Sequence, residues 1–249
     1  MNAIIESGII KKQINSSSKI IPYEMKFLDE RYLNQIMSLE ETIINNLSNS
    51  ELYEFVPAEF MRNQFRKEGR IIGIISEGQL VAFRVLHFPA MATDATVTAE
   101  NLGFDLNIPE NELHKVAHLE VSLVHPEYRG NSLALKMNRY AMNIAKKLNY
   151  SHLCVTVSPK NYANVVTMFK AGLVVKALKD KYGGKLRYIF YQHLKNPIIN
   201  KSDEEIVINI SNIHKQQEIL ERGLVGYRVL RNSEELEIVY AKCNHSKVI

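Results

Sequence analysis

Apolar and polar positions change period several times along the chain, and each change marks an element. After a polar lead over residues 1–19, the run Ile20 to Phe27 reads as a strand. Leu33 to Leu47 (LNQIMSLEETIINNL) then repeats apolar residues at helical intervals until Ser48, Asn49 and Ser50 end the helix. A second helical pattern, Ala58 to Phe65, sets Phe60, Met61 and Phe65 toward a core. The period then shortens. RIIGIISEGQLVAFRVLHFP, Arg70 to Pro89, is two β-rich runs around Ser76, Glu77 and Gly78, a hairpin signal because Gly accepts the backbone that a tight turn needs. Ala90 to Val116 lacks sustained periodicity and reads as an insertion that shapes a substrate site, with a short helix following Pro109.

The strand AHLEVSLV, Ala117 to Val124, alternates, with His118, Glu120 and Ser122 on one face and Leu119, Val121 and Leu123 on the other. It runs into VHPEYRGNSLALKM, Val124 to Met137, where Pro, Gly, Asn and Ser interrupt the apolar run. Helical spacing resumes at Leu133, Met137, Tyr140, Ala141, Ile144 and Leu148, with Lys136, Arg139, Asn143 and Lys147 opposite, as on a surface helix packed on a sheet. SHLCVTVSP is a further strand, and Asn161 is placed to cap a helix that stops at Gly172. Leu173 to Leu178 and Leu186 to Leu194 read as closing strands around Lys181-Tyr182-Gly183-Gly184. Beyond Pro197 a polar linker leads to a strand-helix-strand-strand appendage over residues 203–245, too small to be stable alone and expected to dock on the main domain, residues 20–195. The expected class is mixed α/β.

Composition narrows the function. Hydrophobic residues at 46% and charged residues at 23% are ordinary for a globular chain. A formal charge of +4, with basic and acidic residues interspersed, favours an anionic ligand but falls short of a nucleic-acid footprint, and no aromatic and basic residues interleave as a base-stacking platform. Cys154 and Cys243 form no CxxC, and no His/Cys group has metal spacing, so neither a disulfide scaffold nor a metal is expected. A reducing cytoplasm fits. The amino end is too polar for a signal peptide, and no window approaches a membrane span.

The interrupted stretch raises the sharpest expectation. A strand, a tight turn and a helix place unsatisfied backbone N–H groups around a concavity, where the helix dipole also favours negative charge. Gly130 would let that backbone approach a phosphate closely. The residues resemble the acetyl-CoA signature of the GNAT superfamily of N-acetyltransferases, which reads Arg or Gln, two residues, Gly, one residue, then Gly or Ala, after a strand ending in Val-x-Pro. Here Val124-His125-Pro126-Glu127-Tyr128 precede Arg129-Gly130-Asn131-Ser132-Leu133-Ala134, with Ser132 where Gly is usual. SPKNYANVVTMFKAGL is similar to the family's next strand and helix, with Asn161 and Gly172 matching and Leu173 replacing an aromatic residue. The resemblance spans roughly Ile20 to Leu194.

The resemblance implies a central mixed, mostly antiparallel sheet flanked by helices on both faces, with the pantetheine arm of acetyl-CoA between two splayed parallel strands. It implies cofactor contacts from Leu123, Val124, Arg129, Gly130, Asn131, Ser132, Leu133, Ala134 and Asn161, and no metal. Direct transfer needs a base for the amine rather than an enzyme nucleophile. Glu120 is the first candidate, with His118 one step back on the same face to assist; the alternative is that this face is simply solvated. Many members carry a Tyr four residues before the helix-ending Gly to protonate the departing thiolate. Met168 stands there, leaving Tyr162, Tyr182 or Tyr188 as substitutes, or unaided departure. Cys154, in an apolar strand, is expected to pack rather than react. The implied activity is acetyl transfer to a primary amine of a small metabolite, an amino-acid derivative or a peptide terminus. A catalytically weak acyl-CoA-binding sensor is the alternative, and homo-oligomerisation is left open.

Overall fold

The computed structural model describes residues 4–47, 49, 52–91, 100–200, 204–231 and 235–245. Ser48 and Ser50 at the expected helix end, residues 92–99 of the insertion and 201–203 of the linker lie outside them. The fold is mixed α/β, a mostly antiparallel sheet flanked by helices, and it divides into two compact units, Met1–Ala99 with Leu119–Ile144, and Glu100–His118 with Ala145–Ile249.

In the first unit the polar lead is itself a strand. β1 (Ile4–Ile14) pairs antiparallel with β2 (Ser17–Phe27) from Ile4↔Lys26 to Ile14↔Ser17. β3 (Gly69–Ser76), β4 (Gln79–His87) and the end of β5 (Val116–Val124) follow in the order β1-β2-β3-β4-β5. The β3–β4 turn lies where the sequence puts it: Glu77 and Gly78 take φ of 49° and 77°, the left-handed pair whose twist matches two right-twisted strands.

α1 (Leu33–Asn45) buries Leu33, Ile36, Leu39 and Ile43 along one stripe, in a cluster with Ile71, Phe83, Val85, Val121 and Leu123. Truncating any one of these large side chains to Ala would cost about 2–5 kcal/mol. α2 (Ala58–Asn63) runs into a π-helical turn, Gln64–Glu68, and brings Met61, Phe60 and Phe65 to the same cluster.

The second unit orders its strands β5-β6-β8-β7-β11-β12-β10, with β6 (His152–Val157), β7 (Val174–Lys181), β8 (Lys185–His193), β10 (Ile206–Asn209), β11 (Val225–Arg231) and β12 (Leu236–Ala241). β5 and β6 pair parallel at Val116↔His152, Ala117↔Leu153 and His118↔Cys154, and the other ladders of this unit are antiparallel. β9 (Ile198–Asn200) pairs with β13 (Cys243–His245) in a separate small sheet.

Among the described residues three α-helices belong wholly to this unit: α3 (Leu102–Asp105), α5 (Tyr162–Lys170) and α6 (Ile213–Glu221); α4 (Leu133–Lys147) begins in the first unit and ends in the second. The C-terminal strands and α6 join by close packing and a buried polar network. Gly226 pairs with Val175, and a Cβ there would lie 2.8 Å from Ile238, so only glycine fits without a shift. Fully buried Gln216 accepts hydrogen bonds from Tyr188 and Tyr240, each at 2.6 Å, and donates to Ile210 O at 2.9 Å, which satisfies polar groups that would be costly to bury unpaired. No helix among the described residues is long and apolar enough to cross a membrane.

Candidate functional site

β5 ends on β4 through His125 N–H to Val81 O at 2.8 Å, and the chain then makes a 3-10 turn, Pro126–Tyr128, before α4. Between them Gly130 takes φ +83° and Ser132 φ +56°. Ser132, where the signature has Gly, thus keeps the backbone that favours glycine, at the strain of a side chain in the left-handed region. Around Gly130 nothing lies within 4 Å of where a Cβ would project.

The first intrahelical bond at this end is Lys136 N–H to Ser132 O at 3.0 Å, so the amides of Leu133, Ala134 and Leu135 precede it. A turn of left-handed residues leading into free helix amides is a concavity suited to a phosphate or pyrophosphate. Arg129 is exposed at its rim, and Leu133 is buried beneath it. Beside Ser132 a groove of about 330 Å³ runs along α4, lined by Glu6, Met25, Leu135, Lys136 and Arg139 among others. Leu148, expected on the apolar face, lies beyond the end of the helix and is exposed.

Asn131 carries a task that its sequence position does not disclose. Its Oδ1 accepts from Lys11 N–H at 2.8 Å, and its Nδ2 donates to Lys11 O at 2.7 Å and Tyr128 O at 2.9 Å. The side chain therefore holds β1, and its backbone is the part left to face a ligand.

On β5 the face read as either catalytic or solvated is partly covered: His118 is buried, and Glu120 and Ser122 are half-buried. His118 Nε2 accepts from Leu102 N–H at 3.1 Å, which commits that nitrogen to the start of α3. Leu123 is buried and Val124 half-buried at the strand's end.

Arg84 and Tyr53 both feel the charge of Glu120, and Tyr53 is bonded to Glu40. Arg84, in β4, is 1% exposed, and its Nε and Nη2 have no hydrogen-bond partner among the described residues. Burial pulls its pKa down to about 9 while the charge of Glu120 acts the other way, so the guanidinium stays charged at neutral pH. Its signal was a lone cation in the apolar run QLVAFRVLH. Glu40, fully buried on α1, accepts from Tyr53 O–H at 2.6 Å and Val56 N–H at 3.0 Å, and its Oε2 has no hydrogen-bond partner among the described residues. Burial raises its pKa, and burial, Glu40 and the charge of Glu120 together push the Tyr53 phenol up. Its signal was a carboxylate in the apolar stripe of α1.

In the second unit Asn161 caps α5, its side chain accepting from Asn164 N–H at 3.2 Å. Met168 is fully buried, so the usual place for an acidic Tyr faces a core. Tyr162 is exposed, Tyr188 is buried on Gln216, and Tyr182 shares a hydrogen bond of 2.9 Å with Thr156 of β6. Cys154 is buried, and burial raises its thiol pKa, so it packs rather than reacts. Among the described residues no group of three or more His, Cys, Asp or Glu side chains could hold a metal.

No protein-family model matches the sequence, and no curated protein matches it. Solved structures do resemble its fold. An acetyltransferase of the GNAT family from Streptococcus pneumoniae is similar over 69% of this chain and 98% of its own, at 12% identity and a TM-score of 0.52. A proposed acetyltransferase from Salmonella typhimurium, solved with its cofactor acetyl-CoA, matches 73% of this chain and 97% of its own, at 11% identity and a TM-score of 0.51. Another from Acinetobacter baylyi matches 73% and 98%, at 16% identity and a TM-score of 0.50. Strand order, helices and these likenesses agree that the chain has the GNAT acetyltransferase fold.

Proposed function

We propose that the protein is an acetyl-CoA-dependent N-acetyltransferase that acts on a primary amine of a small metabolite, an amino-acid derivative or a peptide terminus, by direct attack in a ternary complex. The observation that carries this reading is the turn Arg129–Ala134: Gly130 and Ser132 hold left-handed backbone ahead of a helix of 15 residues, on the strand that this fold uses for its cofactor. The open space at Gly130 leaves its backbone accessible to a pyrophosphate.

Acetyl-CoA, when bound, supplies an acetyl thioester open to attack by an amine. The amides from Asn131 to Ala134 hold the pyrophosphate, with the Arg129 guanidinium at the rim. Backbone groups of Leu123 and Val124 would hold the arm, and Asn161 is the contact that the GNAT resemblance adds. Glu120 takes the proton from the incoming amine at a carboxylate oxygen, directly or through water, while buried Arg84 favours its charged form. His118 stays outside the proton path because it serves Leu102. Tyr182 would give its phenol proton to the departing thiolate, since Tyr188 is buried on Gln216. The free cysteines suit a reducing cytoplasm. Binding without turnover, as in a sensor, is the competing reading, and buried Met168 is what favours it.

Gly130→Val tests the cradle. A β-branched residue at φ +83° is strained and would fill the open space, so acetyl-CoA binding should fall at least about tenfold in a protein that still folds. Unchanged affinity in the folded variant would remove the cradle assignment.

A further inference from the structure

We infer that β1 is a clasp that sets the anion-binding turn, with Asn131 as its latch, so that the N-terminal strand completes the cofactor site. The inference rests on the acetyl-CoA reading above. It begins from the strain in the turn. A non-glycine residue in the left-handed region persists only where its surroundings over-determine it. Ser132 is such a residue, at φ +56°, and Gly130 precedes it by two at φ +83°.

Asn131 lies between them, and its side chain makes three hydrogen bonds, to Lys11 N–H, Lys11 O and Tyr128 O. Two of these reach across 120 positions of sequence to the outer edge of β1. A side chain that pairs with both the N–H and the C=O of one strand residue acts as a short strand of its own, and it fixes the residues on either side of it.

A second row of contacts runs beside the first. Lys12 pairs with Glu77 at 3.0 Å and Glu127 at 3.9 Å, and its ammonium lies 5.7 Å from the centre of the Tyr128 ring. One turn into α4, Lys136 bonds to Glu6 of β1 and to Tyr23 of β2, and Tyr23 O–H donates to Glu6 at 2.6 Å. β1 therefore grips the 3-10 turn, the anion turn and the first turn of α4 at successive points. The simpler reading is that Asn131 only covers an exposed strand edge against pairing with other chains. The two readings differ in what happens to cofactor affinity when the latch is undone.

Lys11→Pro undoes it from the strand side. Because Lys11 N–H and C=O both face Asn131, proline removes that N–H without breaking the ladder to β2, a position where an edge strand tolerates it. Lys11→Ala keeps the N–H and removes only the charge, and Asn131→Ala undoes the latch from the turn side. Acetyl-CoA affinity is measured by calorimetry for all three and the full-length wild type, with thermal unfolding alongside.

Lys11→Pro and Asn131→Ala should weaken acetyl-CoA by roughly five- to tenfold, the loss expected for one or two hydrogen bonds, with little change in unfolding temperature, while Lys11→Ala stays within about twofold. In turnover the loss should fall on KM for acetyl-CoA and leave kcat in place. Wild-type affinity in Lys11→Pro would overturn the clasp alone, as would an equal loss in Lys11→Ala, which would place the effect in the lysine charge. Absence of acetyl-CoA binding by the wild type would overturn the cofactor reading and the clasp with it.

Discussion

At the scale of single residues, half-buried Glu120 stands on the strand that leads into the turn of Gly130 and Ser132. Gly130 and Ser132 are legible as a turn because Gly, Asn and Ser interrupt an apolar run, and both hold the left-handed backbone expected of a turn. Glu120 is legible as a carboxylate on the strand that leads into it. Its environment is not: Arg84 and Glu40 read as ordinary charges until β4 and α1 bury them, because burial depends on partners far along the chain. His118 shows the converse, since alternation alone cannot reveal that Leu102 N–H takes up its ring nitrogen. Glu120→Gln should lower turnover by about a hundredfold, the usual scale for losing a positioned base, with acetyl-CoA affinity within twofold. Steady-state rates from pH 6 to 9 check this, and a variant as fast as the wild type across that range would place the base elsewhere.

At the scale of elements, hairpins and the motif helix follow from local pattern, whereas β1 does not. IIESGIIKKQI alternates poorly, and only Ile10 is buried, so its strand character comes from β2 and from Asn131. The junction of β6, β8 and the 3-10 turn Glu110–Lys115 is equally non-local. There His152 Nδ1 lies 3.0 Å from Tyr191 Oη and Nε2 lies 2.7 Å from Glu112, with His193, Lys115 and Lys176 nearby. Burial lowers the His152 pKa more than Glu112 restores it. A histidine whose folded pKa is depressed takes up its proton more readily when unfolded, so stability is lost as pH falls below the unfolded value of about 6.5. The unfolding temperature of the wild type should therefore exceed that of His152→Gln by less at pH 5.5 than at pH 7. A gap that widens on acidification would mean that folding raises this pKa, with Glu112 dominating.

At the scale of the whole molecule, the class of fold and the place of the turn between β5 and α4 were accessible from order and spacing, because hairpins, alternation and a strand-turn-helix signature are local facts. The division into two compact units was not, since it cuts through β5 and α4, elements that are continuous in sequence. Nor was the means by which the C-terminal segment joins, since it depends on Gln216 receiving Tyr188 and Tyr240 from strands on either side of it in sequence. The fold alone does not specify an activity, and the central claim is that the Arg129–Ala134 turn binds the pyrophosphate of acetyl-CoA. Calorimetric titration of the purified chain with acetyl-CoA, beside desulfo-CoA and ATP, tests it most directly. Saturable binding of acetyl-CoA and desulfo-CoA, without ATP, is the predicted result; binding of none of them, or of ATP as tightly as acetyl-CoA, would contradict it.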